Sequence, residues 1–515
     1  MRRILTLLLS TAICSGAQGQ RLSPGDYIYP IRDVAGLYSA NFGEMRPGHF
    51  HAGIDIKTDG GEGKPLVAVA GGYVSRVSVS PSGYGRAIYL TLDNGTTAVY
   101  GHLQRFRGDI EKHVRDERYR RRTNSVDLWF GPAAWPVAQG DTIGFSGNSG
   151  SSMGPHLHFE LRDTPTQRLY NVVREGIVRP DDDLPPRIMR IHYIEVDTVQ
   201  GVPVHGRPES YAVVREAEGR YRLTREEPVG TGRKGYFVLE ASDRRNGVNN
   251  TFGLWRASMA MDGDPRFEYR MDGFTHDLSR CCDAVSYYPL QLTSRNEVIR
   301  AAQLAQSPAC FYPVMEERGI IRTEAGQTRR IRIEAWDDCG NRSQLEFDIL
   351  GRTESFRAKA DSAATVLTPG RTGIVRLGRE VTARIPAGAL YEPVFCRAER
   401  CPAPASDSTL LVLTSGYRIL PVTTPLHRAM TVSVRAFVPE NLHPHTVLAA
   451  RNAKGRLTCI GGKYADGAVT ATTRTTRELF VVADTIPPRI RPLFTDGADL
   501  TRCLLYTSPS PRDST

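Results

Sequence analysis

A chain of 515 residues is too long for one hydrophobic core, so several domains are expected. A hydrophobic share of 40% with 24% charged residues excludes a disordered or fibrous chain. The formal charge of +10 suits an anionic surrounding such as a bacterial envelope, while the lack of zinc-finger spacing and of an aromatic-basic stripe argues against a nucleic-acid partner.

In chain order, Arg2 and Arg3 precede an apolar run from Ile4 to Leu9, and Ala17-Gln18-Gly19 supplies the small residues of a cleavage site. Residues 1–19 read as a secretory signal peptide, too short to span a bilayer. Ile13 ahead of Cys14 argues against a lipoprotein signal. No later stretch is long and apolar enough for a transmembrane helix, so the expected location is the periplasm or cell envelope, or outside the cell.

Residues 66–70, 73–79, 87–90 and 97–100 read as short strands, separated by Gly71-Gly72, Pro81-Ser82-Gly83 and Asp93-Asn94-Gly95 turns. That punctuation predicts an antiparallel sheet or a barrel-like β fold. Residues 109–122 break the pattern. There Ile110 and Val114 share one face of an otherwise charged segment, which predicts an exposed helix inserted into the β core.

Two similar junctions follow. Asp183-Leu184-Pro185-Pro186-Arg187-Ile188 and Asp484-Thr485-Ile486-Pro487-Pro488-Arg489-Ile490 each place two prolines before a new strand, as extended linkers do. The expected organisation is mostly β. A first domain over 20–183 is followed by an immunoglobulin-like β-sandwich over 184–350, whose residues 330–335 alternate ahead of an Asp337-Asp338-Cys339-Gly340-Asn341 turn. A second β module covers 351–483, and 484–502 begins a further domain. Residues 503–515 resemble a translated sequencing adapter and are set aside. Seven cysteines lie between Cys281 and Cys459; export permits disulfides, and Cys396 with Cys401 could close a short loop.

Chemistry-bearing residues gather in the first domain. Three patterns stand out: His51-Ala52-Gly53-Ile54-Asp55, Tyr100-Gly101-His102-Leu103, and the Gly/Ser-rich approach from Gly147 and Asn148 to His156-Leu157-His158-Phe159-Glu160. His156 and His158 are two apart, so on a strand both rings face one way. A catalytic zinc takes three imidazole or carboxylate ligands and keeps a position for water. No Gly-Lys-Ser/Thr follows the glycine-rich loop, which excludes a P-loop, and no His-Glu-x-x-His occurs, which excludes a helix-borne zinc site.

In order, spacing and surrounding residues, about 40–165 resembles the lysostaphin-type (LytM-type) zinc metallopeptidases. The resemblance implies a barrel-sandwich-like (duplicated hybrid motif) β core. It implies Zn²⁺ on His51, Asp55 and His158, with His102 and His156 as catalytic histidines. His49, Asn148 and Glu160 are added as candidates for the cleft or for support of the ligands. The implied activity is zinc-dependent cleavage of peptide cross-links in peptidoglycan, with envelope proteins as candidate partners of the C-terminal modules. The alternative is a catalytically silent envelope protein that activates another wall hydrolase.

Overall fold

The structure is a computed structural model that describes residues 22–405 and 410–486. The signal-peptide segment, the second Pro-Pro pair with most of 484–502, and the adapter-like tail lie outside the described residues.

The first domain is built on an antiparallel sheet. Its strands run in the spatial order Tyr38–Ala40, Ile54–Lys57, His156–Asp163, Thr96–Gly101, Arg86–Leu92, Gly72–Val79 and Val126–Trp129. A smaller sheet of Pro65–Val67, Thr142–Phe145 and Arg105–Phe106 closes over it. The predicted strand at 66–70 pairs only as far as Val67, because Ala68 and Val69 turn away to bond Asp141, Gly140 and Ile28. Between the two sheets the core is Ile, Leu, Val and aromatic, with Ile54, Val74, Ile88, Tyr100, Leu103 and Phe159 fully buried. Burial of this kind contributes roughly 1.5–3 kcal/mol per large side chain.

The inserted helix is Gly108–Arg121. Asp109 and Glu111 lie in its first turn and Arg118, Arg120 and Arg121 in its last, both favourable to the helix dipole. Ile110 and Val114 are its buried residues, as their spacing predicts. The arginines at its end are satisfied locally, since Arg120 and Arg121 both pair with Glu117.

Beyond the Pro185-Pro186 junction a larger sheet begins with Arg187–Val199, which pairs with Glu209–Ala217 and Lys234–Ser242. The expected strand at 330–335 lies within Thr328–Trp336, paired to Arg256–Met261 and Arg342–Gly351. The last described part, from Gly373 to Ala483, carries a five-stranded and a six-stranded sheet around a separate core that includes Met430, Val432, Leu448 and Leu479.

The first two sheets are not independent. Leu169–Tyr170 pairs with His156–Asp163 on one side and with Gly273–Phe274 on the other, so the first sheet runs on into the second part of the chain. Phe274 sits between Phe42 and Phe50, with ring centroids 5.2 and 5.7 Å away, and Phe50 meets Phe311 at 5.3 Å. The buried apolar residues of both parts form one contiguous cluster. The cysteine expectation fails here: Cys396 and Cys401 are free thiols, and Cys396 donates instead to the carbonyl of Ile419 at 2.9 Å.

Candidate metal centre

Register brings the histidines together. His158 stands directly opposite Asp55 on one neighbouring strand and opposite Gly101 on the other. His51 enters just before the Ile54–Lys57 strand, from a short hairpin of Met45–Arg46 and His49–Phe50. His102 follows Gly101 in the left-handed region at φ 63°, and this turn ends the Thr96–Gly101 strand beside the site. Its loop is fixed by two glycines back to back. Gly85 and Gly150 both have positive φ, and a Cβ on Gly150 would lie 2.3 Å from the amide nitrogen of Gly85.

Nitrogens of His51 and His158 and an oxygen of Asp55 converge. His51 Nε2 is 3.0 Å from His158 Nδ1 and 3.2 Å from Asp55 Oδ1, and His158 Nδ1 is 2.9 Å from that same oxygen. The other nitrogen of each ring is already engaged. His51 Nδ1 lies 2.8 Å from the carbonyl of Asn41, and His158 Nε2 lies 2.8 Å from Glu160 Oε1. Each partner accepts the N–H, so once His158 gives up the Nδ1 proton it shares with Asp55, His51 Nε2 and His158 Nδ1 present lone pairs aimed at one point. Two imidazoles and one carboxylate, all buried and without a thiolate, form a group that could hold a metal ion, and this donor chemistry fits zinc.

Charge around this point is balanced residue by residue. Burial opposes ionisation of Asp55, but the His51 and His158 imidazoles hold its carboxyl well below the usual range. Arg46 adds a guanidinium 2.9 Å from Asp55 Oδ2. Burial alone would lower His158, yet hydrogen bonds to Asp55 and Glu160 raise it to about 9. Glu160, fully enclosed, is held ionised by Arg162 and His158, and Tyr84 donates its hydroxyl to Glu160 Oε1 at 2.5 Å.

His102 and His156 line the neighbouring cleft with their ring centroids 4.6 Å apart. His102 Nδ1 is 2.7 Å from the carbonyl of Ser149, and His156 Nδ1 is 2.8 Å from that of Gly154. Burial pushes both pKa values down, His102 to about 3. Both rings are therefore neutral at physiological pH, with Nδ1–H donated to a carbonyl and Nε2 left as an acceptor. His156 Nε2 is 3.6 Å from Asp55 Oδ1.

The other candidates separate. Glu160 orients His158, as described. His49 is exposed, with its Nδ1 3.2 Å from the carbonyl of Pro47, and it does not line the cleft. Asn148 is half-buried and also away from the cleft lining. Arg46, Asn41, Tyr84 and Arg162 escaped the sequence reading, although extending the two-residue period from His156 through Glu160 leads to Arg162. Asn250 escaped it too. It comes from the second part of the chain, lines the cleft and donates Nδ2 to the carbonyl of Ser39 at 3.2 Å.

Residues 49–118 match the model of peptidase family M23. The similarity to M23 peptidases thus falls within the first domain. An uncharacterized metalloprotease of Haemophilus influenzae is 30% identical over 152 residues, 28% of this chain and 26% of the relative. The DD-carboxypeptidase/endopeptidase Mpg of Neisseria meningitidis serogroup B is 32% identical over 112 residues, 22% of this chain and 20% of the relative. The chain thus spans about a quarter or less of the length of these curated relatives. Among solved structures, the catalytic domain of the prophage-encoded M23 protein EnpA from Enterococcus faecalis is 26% identical, covering 28% of this chain and 92% of that one at a TM-score of 0.21. The catalytic domain of lysostaphin from Staphylococcus simulans is 23% identical, covering 27% and 82% at a TM-score of 0.19. Residues 376–484 match the model of a Zu5-like domain. Among the described residues no helix is long and apolar enough to cross a membrane.

Proposed function

We propose that the protein is an exported zinc endopeptidase that hydrolyses peptide cross-links of bacterial peptidoglycan. The convergence of His51 Nε2, His158 Nδ1 and Asp55 Oδ1, with each opposite nitrogen already committed, carries this reading. His51, Asp55 and His158 would hold the ion. Zinc, when bound, supplies a Lewis acid that polarises the scissile carbonyl and acidifies water.

The chain's own residues supply positioning and proton transfer. Asn41 and Glu160 fix the tautomers of the two ligand histidines, and Arg46 keeps Asp55 ionised. One of His102 and His156, both neutral with Nε2 free, takes the proton of the attacking water. That ring becomes a cation able to donate a hydrogen bond to the oxygen gaining charge and then to pass the proton to the departing amine. The match of residues 49–118 to the M23 peptidase model and the likeness to a DD-carboxypeptidase/endopeptidase of Neisseria meningitidis support a cell-wall peptide as substrate. The positive net charge is compatible with work in an anionic envelope.

The test is incubation of the zinc-loaded full chain with cross-linked muropeptides, read by chromatography as release of monomers. Cleavage should vanish in His51→Ala and on chelation, and return with zinc for the wild type only. An intact, zinc-loaded chain that leaves every wall preparation uncut would sink the reading.

A further inference from the structure

Far along the chain from the histidines, three carboxylates from separate segments meet. Asp182 belongs to the linker ahead of Pro185-Pro186, Asp243 follows the Lys234–Ser242 strand, and Asp337 opens the turn after Thr328–Trp336. One oxygen from each lies within 4.8 Å of the other two. Asp243 is 0% exposed, and neither of its carboxylate oxygens has a hydrogen-bond partner among the described residues. Asp182 Oδ2 also lacks one, while its Oδ1 accepts from the Leu184 amide at 3.3 Å.

Asp337 is held in place by its own turn. Its Oδ1 accepts from the amides of Gly340 and Asn341 at 2.6 and 2.8 Å, and its Oδ2 accepts from Asn341 Nδ2 at 2.8 Å. The same Asn341 amide donates to the carbonyl of Asp182 at 3.1 Å, which joins linker and turn. Asp338 adds a fourth carboxylate, and Arg245, paired with it, also acts on Asp243 and Asp182. One guanidinium against four carboxylates leaves a surplus of negative charge on Asp182, Asp243 and Asp337 in a largely buried space.

Unneutralised charge at such a place is strongly unfavourable unless a cation offsets it. Burial, with each carboxylate repelling the next, raises the pKa of Asp243 and takes Asp337 to about 6. An all-oxygen donor set selects a hard cation over zinc or copper. Calcium binds carboxylate oxygens at about 2.3–2.6 Å and tolerates irregular geometry, so a single ion can bridge this spread; magnesium requires shorter bonds in a stricter octahedron.

We propose that Asp182, Asp243 and Asp337 form a calcium site that ties the interdomain linker to the second sheet. The site also sits at the base of a functional loop. Asp243 and Phe252 bond each other's backbones at 3.0 and 3.1 Å, closing the segment that carries Asn250 to the peptidase cleft. Asn246 on this loop donates to Asp183 at 3.0 Å, a second tie to the linker. A bound cation would hold linker, loop base and turn at one point.

Calorimetric titration of the zinc-replete full chain with calcium chloride tests this, alongside thermal melting with and without calcium. The expected result is one saturable calcium per chain and a melting point several degrees higher in calcium. Asp243→Asn should weaken binding at least tenfold, and without calcium it should melt no lower than wild type, because it removes one repelling charge. His51→Ala should bind calcium as the wild type does. Absence of saturable binding to the wild type, or undiminished binding to Asp243→Asn, overturns the proposal. Should Asp243→Asn fail to fold, Asp182→Asn on the half-exposed linker must show the same loss, and wild-type binding there overturns it equally.

Discussion

Glu160 illustrates how much of the site rests on residues that never meet a substrate. Its Oε1 accepts from both His158 and Tyr84, and its Oε2 receives Arg162 at 2.5 and 2.8 Å. This chain of contacts orients the His158 ring and offsets the charge behind it. Glu160→Gln keeps the volume but removes the charge and turns an amide toward either His158 or Arg162. Zinc affinity should fall about 10- to 100-fold, as loss of a ligand's supporting carboxylate does elsewhere, and competition with a chromophoric chelator reads it. Glu160 and Arg162 follow from the sequence once the strand period is extended. Arg46 and Tyr84 do not, because nothing local ties either to a ligand many residues away.

At the scale of elements, the site depends on loops held by close backbone contacts. Gly85 and Gly150 touch where no side chain fits, and they lock the turn bearing Tyr84 against the loop that supports His102. Gly150→Ala combines a positive φ with a clash against backbone. It should cost about 2–4 kcal/mol of stability, read by denaturant unfolding, and should lower activity by displacing His102.

The hairpin that delivers His51 is anchored differently. Glu297, from the second part of the chain, accepts from the amides of Met45 and Leu254 at 2.8 and 2.9 Å. Burial, opposed by those two amides and assisted by nearby Glu44, pushes its pKa up to about 7. A carboxyl raised in this way favours folding at low pH, and that contribution is lost as pH rises from about 4.5 through about 7. The wild type should therefore lose on the order of 3 kcal/mol relative to Glu297→Gln between pH 4.5 and 8. Paired urea titrations of the two proteins at each pH check the difference, and parallel curves would contradict it.

For the whole molecule, the peptidase domain and the sheet after it share a core. Phe42 and Phe50 pack on Phe274 and Phe311, Asn41 exchanges two hydrogen bonds of 2.9 Å with the backbone of Gly253, and the first sheet continues through Gly273–Phe274. Ending the chain at residue 183 would expose these aromatic faces and release the hairpin that carries His51. Such a fragment should be poorly soluble or melt far below the longer chain, with weakened zinc binding. Differential scanning fluorimetry and zinc titration of the two chains make the comparison, and a fragment as stable as the parent would contradict it.

Sequence alone determined the β class and the inserted helix with Ile110 and Val114 inward, because strand period and turn chemistry are local properties; only its resemblance to the lysostaphin-type peptidases picked out His51, Asp55, His102, His156 and His158 as a set. Tertiary structure alone decided which ring nitrogen faces the centre, since that depends on the carbonyl of Asn41 and the carboxylate of Glu160 lying on the far side of each ring. It also decided that Asn250 lines the cleft, that Glu297 anchors the hairpin leading to His51, and that Asp182, Asp243 and Asp337 meet. Those contacts join residues far apart in the chain, and only the packing of one sheet on another brings them within reach.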